Sequence, residues 1–206
     1  MKRVPACFLV LILLLAVFQS EAQTADTAAM EQEASSQENS SIYESLLPED
    51  VLKGINPFMH EAIREALKGI FLGHGGPFGA VVVRNGEIVG QGHNQVLTGH
   101  DPTRHGEIDA IRDACARLNT HDLNGCELYT TGQPCPMCLF ACLWANIDKV
   151  YFGCTIEDTA LIGFRDESFD QLIGSRDQLS DYLICMDRDA CLALYESYQQ
   201  MEHQLY

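Results

Sequence analysis

Two short motifs constrain the fold of this chain more than any other feature. The first is His105-Gly106-Glu107 and the second is Pro134-Cys135-Pro136-Met137-Cys138. The surrounding periodicity predicts that each motif opens a helix. Imidazole and thiolate groups are preferred zinc ligands, and three of them leave one open position in a tetrahedral site. The fold must therefore bring two helix starts to one point if these motifs form one site.

The residue types in these motifs predict a catalytic rather than a structural metal site. We expect His105, Cys135 and Cys138 to hold one zinc ion per subunit, since helix amino ends favour thiolates. A metal with an open position activates water near neutral pH. Glu107 is then expected to act as the proton shuttle beside that water and not as a ligand.

A structural zinc site would need a fourth ligand, and Cys142 is the best candidate. It lies about 6 Å further along the helix than Cys138, at about 1.5 Å per residue, so joining the same tetrahedron would strain the helix. We therefore expect Cys142 to be a core thiol. The same is expected of Cys115, Cys126, Cys154, Cys185 and Cys191. The sequence also allows one disulfide among these thiols and does not select a pair.

The N-terminus is typical of a secretory signal peptide followed by a tether. Lys2 and Arg3 precede an apolar run over residues 6–18, and Ser20-Glu21-Ala22 offers a cleavage site. The run is shorter than the roughly 20 residues that span a bilayer, so stable membrane insertion is not expected. We predict a signal peptide at 1–22, an acidic low-complexity tether at 23–45 and one domain at 46–206. The protein is expected to be periplasmic or secreted; an uncleaved membrane anchor is the alternative.

Net charge restricts the partners of the folded part. The chain has 13 basic and 29 acidic residues, for a formal net charge of -16. Only five of the 29 acidic residues lie in the tether, so acidic residues still outnumber basic ones in the domain, which remains negative. A nucleic-acid partner is disfavoured, because phosphate contacts need Lys and Arg on one face. A small-molecule substrate is favoured.

Helical and strand patterns alternate through the domain. They predict an α/β fold of three layers (α/β/α), with a mixed sheet of about five strands and helices on both faces. Asn85-Gly86 predicts a hairpin turn of type I′. Helices are expected at Asn56–Leu72, His105–Leu118, Cys135–Ala145 and from Asp187 to about Glu202. Strands are expected at Phe78–Val83, Glu87–Gly92, Cys126–Thr131, Lys149–Gly153 and Leu179–Met186.

The combined motifs resemble those of the cytidine/deoxycytidylate deaminase superfamily of zinc-dependent deaminases. The resemblance covers nearly all of residues 54–206, and within the superfamily the chain is most similar to bacterial guanine deaminases. The residues that carry this similarity, besides the two metal motifs, are Gly75–Ala80, Asn94, Asp101–Arg104, Trp144, Asp158 before Gly163-Phe164, and the terminal Tyr206.

The resemblance implies roles for four further residues. Asn94 would hydrogen-bond the base, Phe78 would form its stacking surface, and Asp158 would read the polar edge of a guanine-like ring. Tyr206 would reach the pocket through a C-terminal segment exchanged between two subunits, which implies a homodimer. Other interpretations remain for two of them, since Phe78 could fill the core and Asp158 could cap the next helix. Trp144 is expected to pack.

The implied activity is hydrolytic deamination of a nucleobase, guanine to xanthine plus ammonia. Gln133 and Gly106 depart from the Glu and Ala that are more frequent in relatives, which leaves the base preference open. The alternatives are a cytosine or nucleoside deaminase, then a tRNA adenosine deaminase, and then a non-catalytic zinc-binding exported domain.

Overall fold

The computed structural model describes residues 45–48, 50–173 and 181–202. The predicted signal peptide, nearly all of the tether and Tyr206 lie outside these ranges. The strands are β1 (Gly79–Arg84), β2 (Glu87–His93), β3 (Cys126–Gly132), β4 (Lys149–Cys154) and β5 (Leu183–Cys185). The helices are α1 (Pro57–Phe71), α2 (Val96–Gly99), α3 (Gly106–Leu118), α4 (Pro136–Trp144), α5 (Ile156–Leu161), α6 (Asp166–Ile173) and α7 (Arg188–Gln199).

The five strands form one mixed sheet in the order β2-β1-β3-β4-β5. β1 pairs antiparallel with β2 and β3, whereas β4 runs parallel to β3 and β5. Asn85 and Gly86 both have positive φ, 53° and 80°, and Arg84 pairs with Glu87 across them. The predicted type I′ hairpin is therefore confirmed.

Side chains alternate along the strands and feed two apolar layers. Ala80 and Val82 of β1 pack on one face, together with Ala110 and Ala114 of α3. The other face carries α1 and α7, whose buried side chains include Met59, Ile63, Leu67, Leu194 and Tyr195. The three-layer architecture with helices on both faces is thus confirmed.

The differences from the predicted elements are local. The strand expected at Leu179–Met186 is only Leu183–Cys185 in the described part of the chain. The last helix begins at Arg188, because Asp187 has a left-handed backbone with φ 51°. The short helices α2, α5 and α6 were not predicted, since one or two turns are too short to show a helical period.

Two expectations about burial are wrong. Cys185 is exposed at the end of the edge strand β5, and Cys115 is only partly buried, while Cys126, Cys142, Cys154 and Cys191 are buried as predicted. Trp144 is 85% exposed at the end of α4 and does not pack. The eight cysteines of the described residues are free thiols. Within those residues, no helix has the length and apolarity to cross a membrane.

Candidate metal centre and active-site pocket

The three predicted metal ligands meet at one point. Nδ1 of His105 lies 3.6 Å from Sγ of Cys135 and 3.6 Å from Sγ of Cys138. Tetrahedral angles with Zn–S of about 2.3 Å and Zn–N of about 2.0–2.1 Å place sulfur and nitrogen roughly 3.6 Å apart. The spacing and the donor set therefore both fit a zinc ion.

Two helix starts supply these ligands. His105 is the N-cap of α3 and Cys135 the N-cap of α4, with Cys138 in the first turn of α4. In the described part of the chain, neither N-cap side chain accepts a hydrogen bond from its own helix. Both N-cap side chains are therefore available as ligands instead of caps.

Cys142 does not join this group. Among the described residues, the cluster of side chains that could hold a metal consists of His105, Cys135 and Cys138. Cys142 is fully buried in the apolar layer beside Leu139 and Ala114. The structure thus supports the prediction that Cys142 is a core thiol.

The charges at the centre are strongly coupled. Burial disfavours an imidazolium at His105, but the neighbouring Cys135 outweighs it and raises the pKa of His105 to about 9. A hydrogen bond from Cys138, opposed by burial and aided by His105, lowers the pKa of Cys135 to about 4. Burial is the largest cause that raises the pKa of the Cys138 thiol. A metal ion would displace the protons that these groups share.

Glu107 lies beside the ligands and faces the cavity. Its side chain is buried, and burial together with the negative charge of Cys135 raises its pKa to about 7, against the opposing effect of His105. A buried carboxyl that can exchange a proton near neutral pH is suited to general acid–base chemistry.

A cavity of about 550 Å³ is bordered by Glu107 and by two of the metal ligands, His105 and Cys135. Asn94 and Phe78, to which the resemblance gives contacts with a base, line it together with Gln133. The complete lining is Phe78, Asn94, Val96, Pro102, His105, Glu107, Gly132, Gln133, Cys135, Pro136, Met137, Phe164, Arg165, Asp166 and Phe169.

Asn94 is held firmly at the wall of the cavity. It is 1% exposed, and its Oδ1 accepts a hydrogen bond from the backbone N of Val96 at 3.2 Å. A Cβ on Gly75 would lie 2.0 Å from that Oδ1, so any larger residue there would displace the amide. These contacts orient the amide of Asn94.

The ring of Phe78 belongs both to the cavity lining and to the core. It lines the cavity, and it also packs edge-on against Phe164 (centroids 4.8 Å apart) and Tyr195 (5.7 Å). The ring is therefore a wall of the cavity that the core holds in place.

Asp158 lies in a different environment from the one predicted for a base-reading residue. It is outside the cavity lining and forms a capping box with Thr155 at the start of α5. It also accepts a hydrogen bond from Nε of Arg188 at 2.7 Å. Burial would raise the pKa of Asp158, but Arg188 and Thr155 hold it below its usual value. The capping alternative is the one that the structure shows, and Tyr206 lies outside the described residues.

The first turn of α6 supplies cavity residues that sequence reasoning missed. Arg165, Asp166 and Phe169 line the cavity, and the guanidinium of Arg165 lies 5.6 Å from the centre of the Phe169 ring. Asp166 is near enough to help raise the pKa of His105. Asp166-Glu167 directly after Gly163-Phe164-Arg165 is a helix-start signal that could have indicated this turn.

The sheet, the two helix starts and the His–Cys–Cys centre next to a buried glutamate together define a metal-dependent deaminase. The family model "Cytidine and deoxycytidylate deaminase zinc-binding region" matches residues 53–154. The chain belongs to this family, and it is an aminohydrolase.

Individual relatives extend the match. Guanine deaminase of Bacillus subtilis (strain 168) is 46% identical over 112 residues, which cover 54% of this chain and 71% of the relative. The tRNA-specific adenosine deaminase of Aquifex aeolicus (strain VF5) is 47% identical over 96 residues, 47% of this chain and 63% of the relative. The structure of NE0047 in complex with 2,6-diaminopurine aligns with a TM-score of 0.62 at 28% identity, over 72% of this chain and 83% of that one.

Proposed function

We propose that this enzyme deaminates guanine, releasing xanthine and ammonia. The observation that carries the proposal is the cavity itself, in which Glu107 and two of the metal ligands, His105 and Cys135, lie with Asn94 and Phe78. The 46% identity to a guanine deaminase supports the choice of base. So does the binding of 2,6-diaminopurine, another amino-purine, by the structural relative.

His105, Cys135 and Cys138 would hold the zinc ion. When bound, zinc supplies Lewis acidity that makes water nucleophilic near neutral pH. Glu107 takes a proton from the attacking water and passes it to a ring nitrogen of the base. Glu107 then takes the remaining proton of that water from the hydroxyl group now on the amine-bearing carbon and gives it to the departing amine. The C–N bond breaks as the C=O bond forms, so one water is consumed and one ammonia is released.

The other cavity residues bind and orient the base. The amide of Asn94 hydrogen-bonds the ring, and Phe78 presents its face or edge to it. Asp166 is the second carboxyl of the cavity, and we assign it the polar edge of guanine, whose N1–H and amino group are donors. In the geometry of the described residues, Asp166 is better placed for this role than Asp158.

A tRNA substrate is the second candidate, because the Aquifex relative acts on tRNA. The net charge of -16 argues against it, since a polyanion needs basic contacts. A non-catalytic domain is not supported.

A substrate panel tests the proposal. Purified protein loaded with zinc is incubated with guanine, cytosine, adenine, their nucleosides and an anticodon stem-loop, and ammonia is measured. Guanine is expected to react fastest. A preference for cytosine or for the stem-loop would replace the guanine assignment.

Export and dimerisation remain proposals as well. The exposed apolar side chains on α4, Phe140 (52%) and Trp144 (85%), support a face that a second subunit covers. Light scattering would show whether the protein is a homodimer, and removal of residues after 202 would test the role of the C-terminal segment.

Export is tested at the N-terminus. N-terminal sequencing of protein expressed with its leader would show whether cleavage follows Ala22.

A further inference from the structure

One carboxylate outside the cavity joins the two chain segments that border it. Asp109 lies one turn into α3, and its side chain is 9% exposed. Its Oδ2 accepts hydrogen bonds from Nε2 of Gln95 at 2.9 Å and from Nη2 of Arg104 at 3.0 Å. Its Oδ1 accepts from Nη1 of Arg112 at 3.1 Å. Three donors, two of them charged, thus converge on one nearly buried group.

Gln95 and Arg104 are the two ends of one connecting segment, which includes the single turn of α2 and is called the loop below. The backbone N of Gln95 donates to the carbonyl O of Arg104 at 2.9 Å, so the loop is closed between them. Gln95 directly follows Asn94, and Arg104 directly precedes His105. Both of these neighbours line the cavity, whereas Asp109 does not.

We propose that Asp109 is a positioning residue that fixes Asn94 relative to His105. It therefore sets the distance between the base and the metal centre. The inference rests on the roles proposed above for Asn94 and His105. A misplacement of about 1 Å at a reacting centre reduces the rate by up to about 10²-fold. Because Asp109 holds both the segment that carries Asn94 and the segment that carries His105, its loss should lower the rate.

A purely structural role for Asp109 would act through α3 instead. Its pair with Arg112 spans three residues of that helix, and an acid in the early turns also interacts with the helix dipole.

Asp113 offers the matched control. It lies one turn further on α3, pairs with Arg117 and accepts a hydrogen bond from the backbone N of Gln91 at 3.0 Å. No hydrogen bond or ion pair of the described residues joins Asp113 to the loop between Gln95 and Arg104.

The test compares Asp109→Asn, Asp113→Asn and the swap Asp109→Asn/Gln95→Glu. In the swap, the introduced amide donates to the introduced carboxylate, so the link and the net charge are both kept. Each zinc-loaded protein is assayed for kcat and KM with the base that the wild type deaminates fastest, for bound zinc, for its unfolding midpoint and for amide hydrogen exchange over residues 94–105.

We expect Asp109→Asn to lower kcat/KM by about 10- to 100-fold with zinc still bound, and to speed amide exchange over 94–105. The swap should return kcat/KM to within roughly fivefold of wild type, while Asp113→Asn stays within roughly threefold. A loss no larger than that of Asp113→Asn, a loss that follows zinc content, or a swap that restores nothing would each overturn the proposal. If guanine is not the substrate, the substrate panel shows this independently of the Asp109 variants. If no base reacts, amide exchange over 94–105 tests the proposal: faster exchange in Asp109→Asn than in Asp113→Asn supports it, and equal exchange overturns it.

Discussion

Gly106 allows the first turn of α3 to approach the start of β1 closely. A Cβ at this position would lie 2.8 Å from the carbonyl O of Phe78, which is shorter than a real Cβ contact. Gly92 is similar, since a Cβ there would lie 2.7 Å from the carbonyl O of Gly106. The residue between His105 and Glu107 therefore sets the spacing of helix and strand, and a Cβ there would point at the start of β1 and not into the cavity.

Replacement of Glu107 should reduce turnover without affecting zinc binding. Glu107→Gln keeps the shape of the side chain but removes its capacity to carry a proton, so kcat should fall by about 10²- to 10⁴-fold while zinc remains bound. Ammonia release and metal analysis measure the two effects. Glu87→Gln, at an exposed position of β2, is the control and should retain the wild-type rate. Turnover by Glu107→Gln near that of the control would refute the proton-shuttle role.

At the scale of elements, the start of α5 is fixed by reciprocal hydrogen bonds. Oδ2 of Asp158 accepts from the backbone N of Thr155 at 2.9 Å, and Oγ1 of Thr155 accepts from the backbone N of Asp158 at 3.3 Å. The pair with Arg188 links the same helix start to the first residue of α7. Asp158 thus joins two elements at the rim of the sheet.

This arrangement predicts a loss of stability without a loss of substrate affinity. Asp158→Ala should lower the free energy of unfolding by about 1–2 kcal/mol, chiefly because a capping side chain is removed, together with its half-exposed ion pair with Arg188. Urea titration measures the change. The exposed neighbour Glu157→Ala, also in the first turn of α5, is the control. If KM for guanine rises strongly while stability is unchanged, Asp158 reads the base after all.

A second link between elements joins α1 to the end of β2. Oε2 of Glu65 lies 2.9 Å from Nδ1 of His93, and Nε2 of His93 lies 2.9 Å from Nδ1 of His74. Lys68 and Gln91 also contact Oε1 of Glu65. Burial alone would raise the pKa of Glu65, but the hydrogen bond from His93 and the charge of Lys68 outweigh it and lower that pKa.

The lowered pKa of Glu65 makes stability depend on acidity in a defined direction. Its contribution is fully present above the unfolded-state pKa of about 4.3 and is lost as the pH falls through the lower folded-state value. The difference in unfolding free energy between wild type and Glu65→Gln should therefore be constant from pH 7 to about pH 5 and shrink below about pH 4. Glu61→Gln, on the same helix, corrects for general charge effects. A difference that is independent of pH would contradict this prediction.

At the scale of the whole molecule, the metal centre could be predicted from sequence because both of its motifs mark helix starts. The alternation of strands and helices likewise predicted the sheet and its two covered faces. A helix start at Asp166 is indicated by the sequence, but its place in the cavity wall could not be predicted, since that depends on where a two-turn helix packs after β4. The cap at Asp158 was one of the predicted alternatives, but its ion pair was hidden, because the partner Arg188 lies 30 residues further along the chain, beyond β5.

Metal binding should also be linked to global stability. We expect about one zinc per chain, a lower unfolding midpoint and no turnover after chelation, and recovery of both when zinc is returned, because the ion joins α3 to α4. Calorimetry and metal analysis measure these quantities. Cys138→Ser should lose the ion, whereas Cys115→Ser, at a partly buried thiol away from the centre, should keep it. An unfolding midpoint that chelation leaves unchanged would contradict the linkage.

The use of two N-cap positions as ligand positions limits how this enzyme can be stabilised. Asn56 and Thr155 show that other helices of the chain have effective caps. At positions 105 and 135, the side chains that would cap best, Ser or Asp, would remove an imidazole or a thiolate from the centre. A search for thermostable variants should therefore find its improvements on α1, α7 and the hairpin, and none at the two helix starts where catalysis and stability compete for the same side chain.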